Sequence, residues 1–371
     1  MKHLELHILQ SVPVTCLNRD DLGSPKTAFF GGVQRARVSS QSWKRAIREY
    51  AHEISPYFEG KRTRLIIEPL KNYFLALGNN DELSNKLAKE VAGSIATLDA
   101  ENENKVKTIY FTSKAELEFI AKSYDAINKE KGDISLDDKK YKEKAKSRTK
   151  DAVKSLSSSI YKDAADISLF GRMVANDHSL TIEGAAMFNH PISTHKVDNE
   201  LDFFAAVDDW QKEGESGAGM TGTLEFNSSV YYRFAAVNLG MLADEEHLAA
   251  MTVEERKNVV TAFIQATLEA VPGMTGSNSG RKNSMNGYTR PAYVLGLVRD
   301  QGHPVQLVNA FEQPVWNASG KGIMSASVSK LKEEEEHLNK TWRLDRHHVA
   351  RAVIPESNID EFIAELVQHV E

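Results

Sequence analysis

The chain has 371 residues, 41% of them hydrophobic, and a formal net charge of −6, so it can bury a sizeable core and its length allows two or three domains. A single cysteine, Cys16, excludes an intramolecular disulfide framework and a cysteine-rich zinc site, and no apolar run is long enough to cross a membrane. The amino terminus, Met1-Lys2-His3-Leu4-Glu5, lacks the apolar stretch of a signal peptide, and together these features predict a soluble cytoplasmic protein with no membrane partner.

In chain order, Leu4, Leu6 and Ile8 alternate with His3, Glu5 and His7, a period of two that predicts a half-buried opening strand. After a loop marked by Pro and Gly, Trp43, Ala46, Ile47 and Tyr50 recur at helical spacing, with Ser39 or Ser40 placed to cap the first turn. The same spacing gathers Lys44, Arg45 and Arg48 on the wet face. Between Leu22 and Arg48 stand six cations (Lys26, Arg35, Arg37, Lys44, Arg45, Arg48) and no acid. On an acidic protein such a patch selects an anionic partner at one place. Gly31-Gly32, a cationic strand and a Ser-capped helix offer backbone N–H groups, a helix dipole and guanidinium forks together, which suits phosphates. The spacing fits neither an NTP loop nor a dinucleotide turn, so a polymer backbone fits better than a mononucleotide. The plainer alternative is that these cations pair with carboxylates elsewhere.

Beside the patch, Asn18-Arg19-Asp20-Asp21 carries two carboxylates that either bind Mg²⁺ for phosphodiester cleavage or make side-chain-to-backbone turns. No third carboxylate at a helpful spacing completes a metal site, the histidines are scattered, and no Gly-x-Ser-x-Gly elbow occurs. No metal, cofactor or catalytic residue is assigned.

From 61 to 167 the composition shifts to Lys, Glu, Ala and Leu with few Pro or Gly, and Ser113 with Glu116 makes a capping box, which predicts a helical insertion. Within it, Lys139 to Lys154 holds eight basic residues against Glu143 and Asp151, either a polyanion contact or a solvated helix face. Leu169-Phe170-Gly171-Arg172-Met173 follows. Arg172 is within reach of a phosphate in this reading, and Met173 is either a wedge beside an unstacked base or a core filler.

Strand patterns return at 185–189, 230–237 and 293–299. In the second, Val230, Tyr232, Phe234 and Ala236 are expected to face a core and Tyr231 and Arg233 to face out. Before the last strand, Thr252 and Glu255 form a capping box, Val260, Phe263, Ile264, Leu268 and Val271 a buried stripe, and Gly273 a stop. The core order β, α, β, β, α, β is that of a ferredoxin-like or RNA-recognition-motif sheet. Two segments decorate it: 194–227, an arm with Phe203, Phe204 and Trp210 and an acidic tip ending in Met220, and the Gly-, Ser- and Asn-rich stretch 273–287 with Arg281 and Lys282. The last residues, 357–370, predict a packed final helix.

Cys16-Leu17-Asn18-Arg19-Asp20-Asp21, then Phe30-Gly31-Gly32, Arg35, Arg37 and Ser39-Ser40-Gln41-Ser42 with Lys44-Arg45, resemble the opening of the CasC family, the backbone subunit of the type I-E CRISPR Cascade surveillance complex. The likeness continues through Gly171-Arg172-Met173, Thr194-His195, Val197-Asp198, Ala206-Val207-Asp208-Asp209 and Glu225-Phe226, and spans the chain with gaps. It implies an α+β fold: a modified RNA-recognition-motif (ferredoxin-like) palm at 1–60, 168–193 and 228–300, a helical finger insertion at 61–167, a projecting thumb hairpin at 194–227, and a carboxy-terminal helical region at 301–371 packing on the palm. It implies a non-catalytic subunit whose copies line up as a filament along the spacer of a guide RNA (crRNA), kinking it periodically so that it pairs with target DNA. Other Cascade subunits are partners, and a separately recruited nuclease-helicase cleaves the target. Arg19, Lys26, Ser40, Gln41, Lys44, Arg45 and Arg48 fall at guide-backbone positions, Met173 beside the kinked nucleotide, and Thr194, His195, Phe203, Phe204 and Met220 on the thumb. Asn18, Arg35, Arg37 and Arg172 complete the expected RNA-binding set. Cations and amides that hold phosphates leave base edges free for pairing, so any spacer is accepted. Two rival readings stay open: an RNA-cleaving subunit of the type III kind with Asp20 or Asp21 as metal ligand, and a general single-strand-binding protein, which would need aromatics interleaved along its groove where this patch has Phe29, Phe30 and Trp43.

Overall fold

The computed structural model describes residues 1–135, 139–154, 156, 158–174, 176–206, 220–275, 286–317 and 320–371, and of 158, 159 and 161 the backbone alone. Trp210, the acidic residues Glu213 and Glu215, and Arg281 and Lys282 lie outside the described residues. The first elements are β1 (His3–Thr15), β2 (Thr27–Phe30), β3 (Val33–Ala36), α1 (Ser40–Ile54) and β4 (Lys61–Thr63). Then come α2 (Ile67–Ala76), α3 (Asp81–Ile95), β5 (Tyr110–Thr112), α4 (Lys114–Lys131), α5 (Tyr141–Val153) and α6 (Ala165–Phe170). They are followed by β6 (Ala186–Phe188), β7 (Ile192–Ser193), β8 (Glu200–Ala206), β9 (Met220–Asn238), α7 (Leu239–Leu242) and α8 (Val253–Glu269). The chain ends with β10 (Tyr293–Arg299), α9 (Ile323–Trp342), β11 (His348–Ile354) and α10 (Ile359–Val367).

The chain divides into two compact units, one of residues 1–54, 187–237 and 260–370, the other of 55–186, 238–259 and 371. Residues 238–259 thus cluster with the helical unit, where the sequence division had kept them in the palm.

The first unit is built on a sheet of order β11-β10-β1-β9-β6, with β10 antiparallel to both β1 and β11. Without the added edge strand β11, this is the ferredoxin-like order, and the strand and helix sequence β1, α1, β6, β9, α8, β10 matches it. Leu4, Leu6 and Ile8 are buried, as their alternation predicts, and so are Trp43, Ala46 and Ile47 of α1 and Val260, Phe263, Ile264 and Leu268 of α8. A full capping box starts α8: Thr252 Oγ1 accepts from Glu255 N–H at 3.2 Å, and Glu255 Oε2 accepts from Thr252 N–H at 2.7 Å.

The other face of β1 departs from expectation. His3, Glu5 and His7 are buried too, because the sheet is covered on both sides. Leu307, Phe311, Val315 and Leu331 close over Leu9, Tyr232, Phe234, Leu295, Leu297 and Val353 in one apolar cluster. Beneath this cover Glu5 Oε1 meets Arg299 Nε at 2.8 Å and His7 Nδ1 meets the Tyr232 hydroxyl at 3.0 Å, which is how buried polar groups are tolerated. The opposite face of the sheet, toward α1 and α8, corrects the expectation for β9. Tyr231 and Arg233 are buried as well, and the Arg233 guanidinium lies 3.6 Å from the Trp43 ring centroid. It donates to Gln10 Oε1 and the Thr267 carbonyl, and burial pulls its pKa down to about 9. The carboxy-terminal region is not helical throughout, since β11 extends the sheet beyond β10.

The second unit packs α2, α3, α4 and α5 around Leu70, Phe74, Leu87, Val91, Ile120 and Tyr124. At the start of α4 only half of the expected capping box forms. Ser113 Oγ accepts from Glu116 N–H at 3.1 Å, but the Glu116 carboxylate turns instead to Arg172 and Thr112. On α5, Ala145, Arg148, Thr149 and Ala152 are buried while Lys142, Lys144, Lys146 and Lys150 are exposed, a placement that a polyanion contact and a solvated helix face both require.

Candidate nucleic-acid interface

The cationic segment is assembled by hydrogen bonds from main-chain amides. Asn18 Oδ1 accepts from Ser39 N–H at 3.0 Å, Lys26 N–H donates to the Asn18 carbonyl at 3.0 Å, and Arg37 N–H donates to the Lys26 carbonyl at 2.8 Å. These three bonds draw residues 18–26 and 37–48 together. Ser39 is the cap of α1, its hydroxyl accepting from Ser42 N–H at 3.2 Å. Ser40 N–H is capped from outside the segment by His190 Nδ1 at 2.9 Å. Sequence reasoning missed His190, and it had no local signal to use, since 150 positions separate the partners.

Gly31 and Gly32 have φ of 60° and 74° and join β2 to β3, the two positive dihedrals of a tight hairpin turn. They are therefore the turn residues of the hairpin. The hairpin sets Ala28, Phe30, Val33 and Arg35 on one side and Phe29 and Gln34 on the other. Arg35 is 0% exposed, which corrects its assignment to RNA binding. Its guanidinium donates to the carbonyls of Phe30 at 3.2 Å, Ser193 at 3.0 Å, Phe311 at 2.8 Å and Glu312 at 3.2 Å. A fully buried guanidinium that spends four of its five N–H donors on carbonyls is not presented to a guide. Phe29, on the opposite side, is 80% exposed.

The remaining cations of the patch stand at the surface. Arg37 is half-buried with Nε donating to the Thr27 carbonyl at 3.3 Å. Lys44 holds its ammonium 5.3 Å from the Phe188 ring centroid. Arg45 is exposed and meets Glu49 one turn on at 2.7 Å, a pair that solvent weakens and a phosphate can displace. Arg48 and Lys26 are half-buried and Gln41 is exposed. Arg19 lies 5.5 Å over the Phe226 ring and donates to the carbonyls of Gly23 and Glu225. Asp20 settles the choice left open for its motif: Oδ1 accepts from the amides of Leu22 and Ser24, both at 2.9 Å, as in an Asx turn. Among the described residues no group of three or more His, Cys, Asp or Glu side chains is placed to hold a metal, so the metal-nuclease reading gains no support.

Arg172, in the second unit, is also corrected. It is buried against buried Glu116 at 2.8 Å, donates to the carbonyls of Phe111 and Leu180 at 2.8 Å each, and lies 4.9 Å from the Tyr110 ring centroid. Met173, the next residue, is 83% exposed and free to act as a wedge.

In the arm, β8 and β9 pair from Glu200↔Phe226 to Ala206↔Met220, and Phe204 faces Gly222 across the ribbon. Leu201, Phe203 and Met220 are exposed, so this two-stranded ribbon displays apolar side chains that one copy of the chain leaves uncovered. At its base Thr194 is buried, its hydroxyl accepting from Ser327 Oγ at 2.9 Å, which makes it an anchor of the arm and not a contact surface. His195 Nε2 accepts from Val230 N–H at 3.2 Å while Nδ1 lies 2.8 Å from the Lys196 carbonyl, an arrangement that only the neutral ring satisfies.

Burial holds the pKa values of His195, His3 and His348 below the ordinary 6.5. A histidine of this kind binds fewer protons folded than unfolded, so its stabilising share is complete above pH 6.5 and is lost as the pH falls below it. The thermal midpoint should therefore hold between pH 7 and 8 and decline below about 6.5, with His195→Gln flattening part of the decline; a midpoint that rises on acidification would refute this.

The sheet face that an RNA-recognition motif leaves open for base stacking is occupied here by the cover over Tyr232. Trp43 is buried beneath Arg233, leaving exposed Phe29 as the one aromatic of the patch in solvent. The patch offers no row of stacking aromatics, which the general single-strand-binding reading would need there. What remains is a surface of N–H and ammonium donors around the first turns of α1.

A family model described as CT1975-like protein matches residues 4–368. The chain belongs to this Cas family of CT1975-like proteins. The match bears out, at family level, the resemblance drawn from residues 16–48 and 171–226. This CT1975-like protein is similar over 100% of its length, and 100% of the other's, to a chain of a solved structure described as "CRISPR RNA-guided surveillance complex, pre-nicking", with TM-score 0.77 and 27% identity. It is also similar, with TM-score 0.66 and 25% identity and 99% of each chain covered, to a chain of a "CRISPR RNA-guided surveillance complex". Comparison with curated proteins gave no match.

Proposed function

We propose that this CT1975-like protein is the guide-RNA-binding backbone subunit of a type I-E CRISPR surveillance complex. Copies line up along the spacer, hold its phosphates without reading bases, and kink it at intervals so that it pairs with target DNA. The subunit breaks no bond itself; other Cascade subunits complete the cytoplasmic complex and a recruited nuclease-helicase cleaves the target. The observation that carries this reading is the end-to-end likeness to chains of RNA-guided surveillance complexes. The cationic first turns of α1 support it, because ammonium and guanidinium groups bind any phosphate backbone equally. The chain's net charge of −6, patch included, keeps copies from binding bulk nucleic acid. The exposed ribbon of β8 and β9 and Met173 are surfaces fit to bend the guide, by wedging beside an unstacked base.

Co-expression with neighbouring subunits and a repeat-spacer transcript should yield a discrete co-purifying guide RNA. The triple variant Lys44→Ala, Arg45→Ala, Arg48→Ala should lower guide occupancy alike for unrelated spacers. With about three phosphate contacts per copy, log K should fall with log salt at about −2 per copy, a slope the triple variant largely abolishes. Loss confined to particular spacers, or a complex that forms without RNA, would overturn the reading.

A further inference from the structure

We propose that His190 is an additional guide contact, donating the proton on its outer ring nitrogen, Nε2, to a phosphate oxygen of the single-stranded RNA that passes the first turn of α1. The inference rests on the guide-binding reading above and adds to it a residue of a different kind, a neutral donor held in one tautomer by the main chain.

The tautomer follows from one bond. His190 is exposed, two residues beyond β6, and its Nδ1 stands 2.9 Å from Ser40 N. A backbone amide can only donate, so Nδ1 must be the ring's lone-pair nitrogen, and the neutral imidazole then carries its single proton on Nε2. Ser40 N–H is one of the amides that the start of a helix leaves without an internal partner. The imidazole occupies it and stands in front of it, so the helix start is not itself open to a ligand. The chain of two bonds, amide to Nδ1 and Nε2–H to an anion, polarises the outer N–H further than an isolated ring would allow.

The position follows from two contacts in register. Phe188 closes β6 and His190 lies two residues on, so the two are at most about 7 Å apart along the chain. Their partners on α1 are Lys44, whose ammonium lies over the Phe188 ring, and Ser40, whose amide meets His190. Those residues are four apart on one helix face, about 6 Å along the axis. The segment therefore runs beside the first turn of α1, and the outer N–H of His190 and the ammonium of Lys44 are neighbouring donors at the same surface. The thumb-side histidine, His195, is different, since both its nitrogens already have partners.

Two substitutions separate the ring's two nitrogens. In His190→Asn the amide oxygen replaces Nδ1, keeping the acceptor for Ser40 and losing the outer donor; in His190→Gln the longer amide reaches the position of Nε2 and keeps a donor there while giving up the cap. Each full-length variant is titrated, with the neighbouring subunits present, onto spacer-length single-stranded RNAs of unrelated sequence over a series of salt concentrations, and its thermal midpoint is recorded without RNA. His190→Asn should bind about tenfold more weakly, the size expected for one hydrogen bond to a charged acceptor, with its midpoint unchanged. Its salt slope should equal that of the parent, because a neutral donor displaces no counterion, whereas Lys44→Ala should make the slope shallower by about 0.7. His190→Gln should lower the midpoint and retain most of the binding. Parental binding by His190→Asn overturns the inference, and so does weak binding accompanied by a lowered midpoint, which would make the ring a cap and nothing more. If Lys44→Ala weakens binding and His190→Asn does not, this inference fails alone; if the parent binds no RNA at any salt, the guide-binding reading fails with it.

Discussion

Gly31→Ala should destabilise the protein by at least about 3 kcal/mol and abolish guide assembly through loss of the hairpin, although residue 31 touches no ligand in this account. A β-carbon there would stand 1.6 Å from the carbonyl oxygen of Glu312, a main-chain atom that no rotamer change can move. The backbone at Gly31 has φ of 60°, which disfavours a side chain by about 1–2 kcal/mol. Overpacking against a fixed carbonyl adds about 1–3 kcal/mol. The displaced carbonyl is also one of the four that Arg35 holds, so the shift would break a buried hydrogen bond as well. Gly32→Ala is the internal control. Its φ is 74° but a β-carbon there meets nothing within 4 Å, so it should cost about 1–2 kcal/mol and leave assembly intact. Urea unfolding of both variants distinguishes them; equal losses would show that the approach to Glu312 does not constrain the turn.

The contrast between Arg35 and Arg37 shows what the sequence made legible and what it could not. Periodicity located the strands at Ala186–Phe188 and Tyr293–Arg299, the apolar stripe of α8 and the covered face of α1, because each of those patterns reports contact with a single core. It also located the cationic segment that forms the candidate site. It could not report which cations are buried, since Arg35 is withdrawn by carbonyls of residues 193, 311 and 312, far along the chain. The polar face of β1 was misread for the same reason. Period two describes a strand with one wet face, yet Glu5 and His7 meet Arg299 and Tyr232 under a cover supplied by residues 307–331. His190 was invisible because a histidine capping a helix that starts 150 positions earlier leaves no spacing to find.

That cover bears on how an RNA could be held at all. A ferredoxin-like sheet with an open face offers aromatics for stacking, and stacking of bases on protein competes with their pairing to a target strand. Here the sheet face is filled by Phe311 and Leu331, which fits the proposed reading in which the donors of the patch hold phosphates and base edges are left to the target. In that reading exposed Phe29, Met173 and the ribbon residues Leu201, Phe203 and Met220 are apolar groups placed to act on individual bases.

Arg172→Ala should lower stability by about 3–5 kcal/mol, the usual penalty for removing one member of a buried ion pair. Glu116 is buried and receives the guanidinium at 2.8 Å; without it, a carboxylate at the start of α4 loses its compensating charge in a place water does not reach. The carbonyls of Phe111 and Leu180 lose their donor at the same time. The paired substitution Arg172→Met with Glu116→Leu should recover most of the loss, since replacing both charges by apolar groups of similar volume removes the desolvation penalty along with the attraction. Unfolding of the RNA-free protein is the deciding measurement, because a side chain that gripped a guide would leave that stability unchanged when truncated. If Arg172→Ala unfolds at the parental urea midpoint and fails only in guide assembly, then the residue reaches RNA and its pairing with Glu116 is incidental. The exposed neighbour gives the opposite expectation: Met173→Ala, with its side chain 83% exposed, should leave the midpoint within about 0.5 kcal/mol of the parent while altering how the assembled guide is bent.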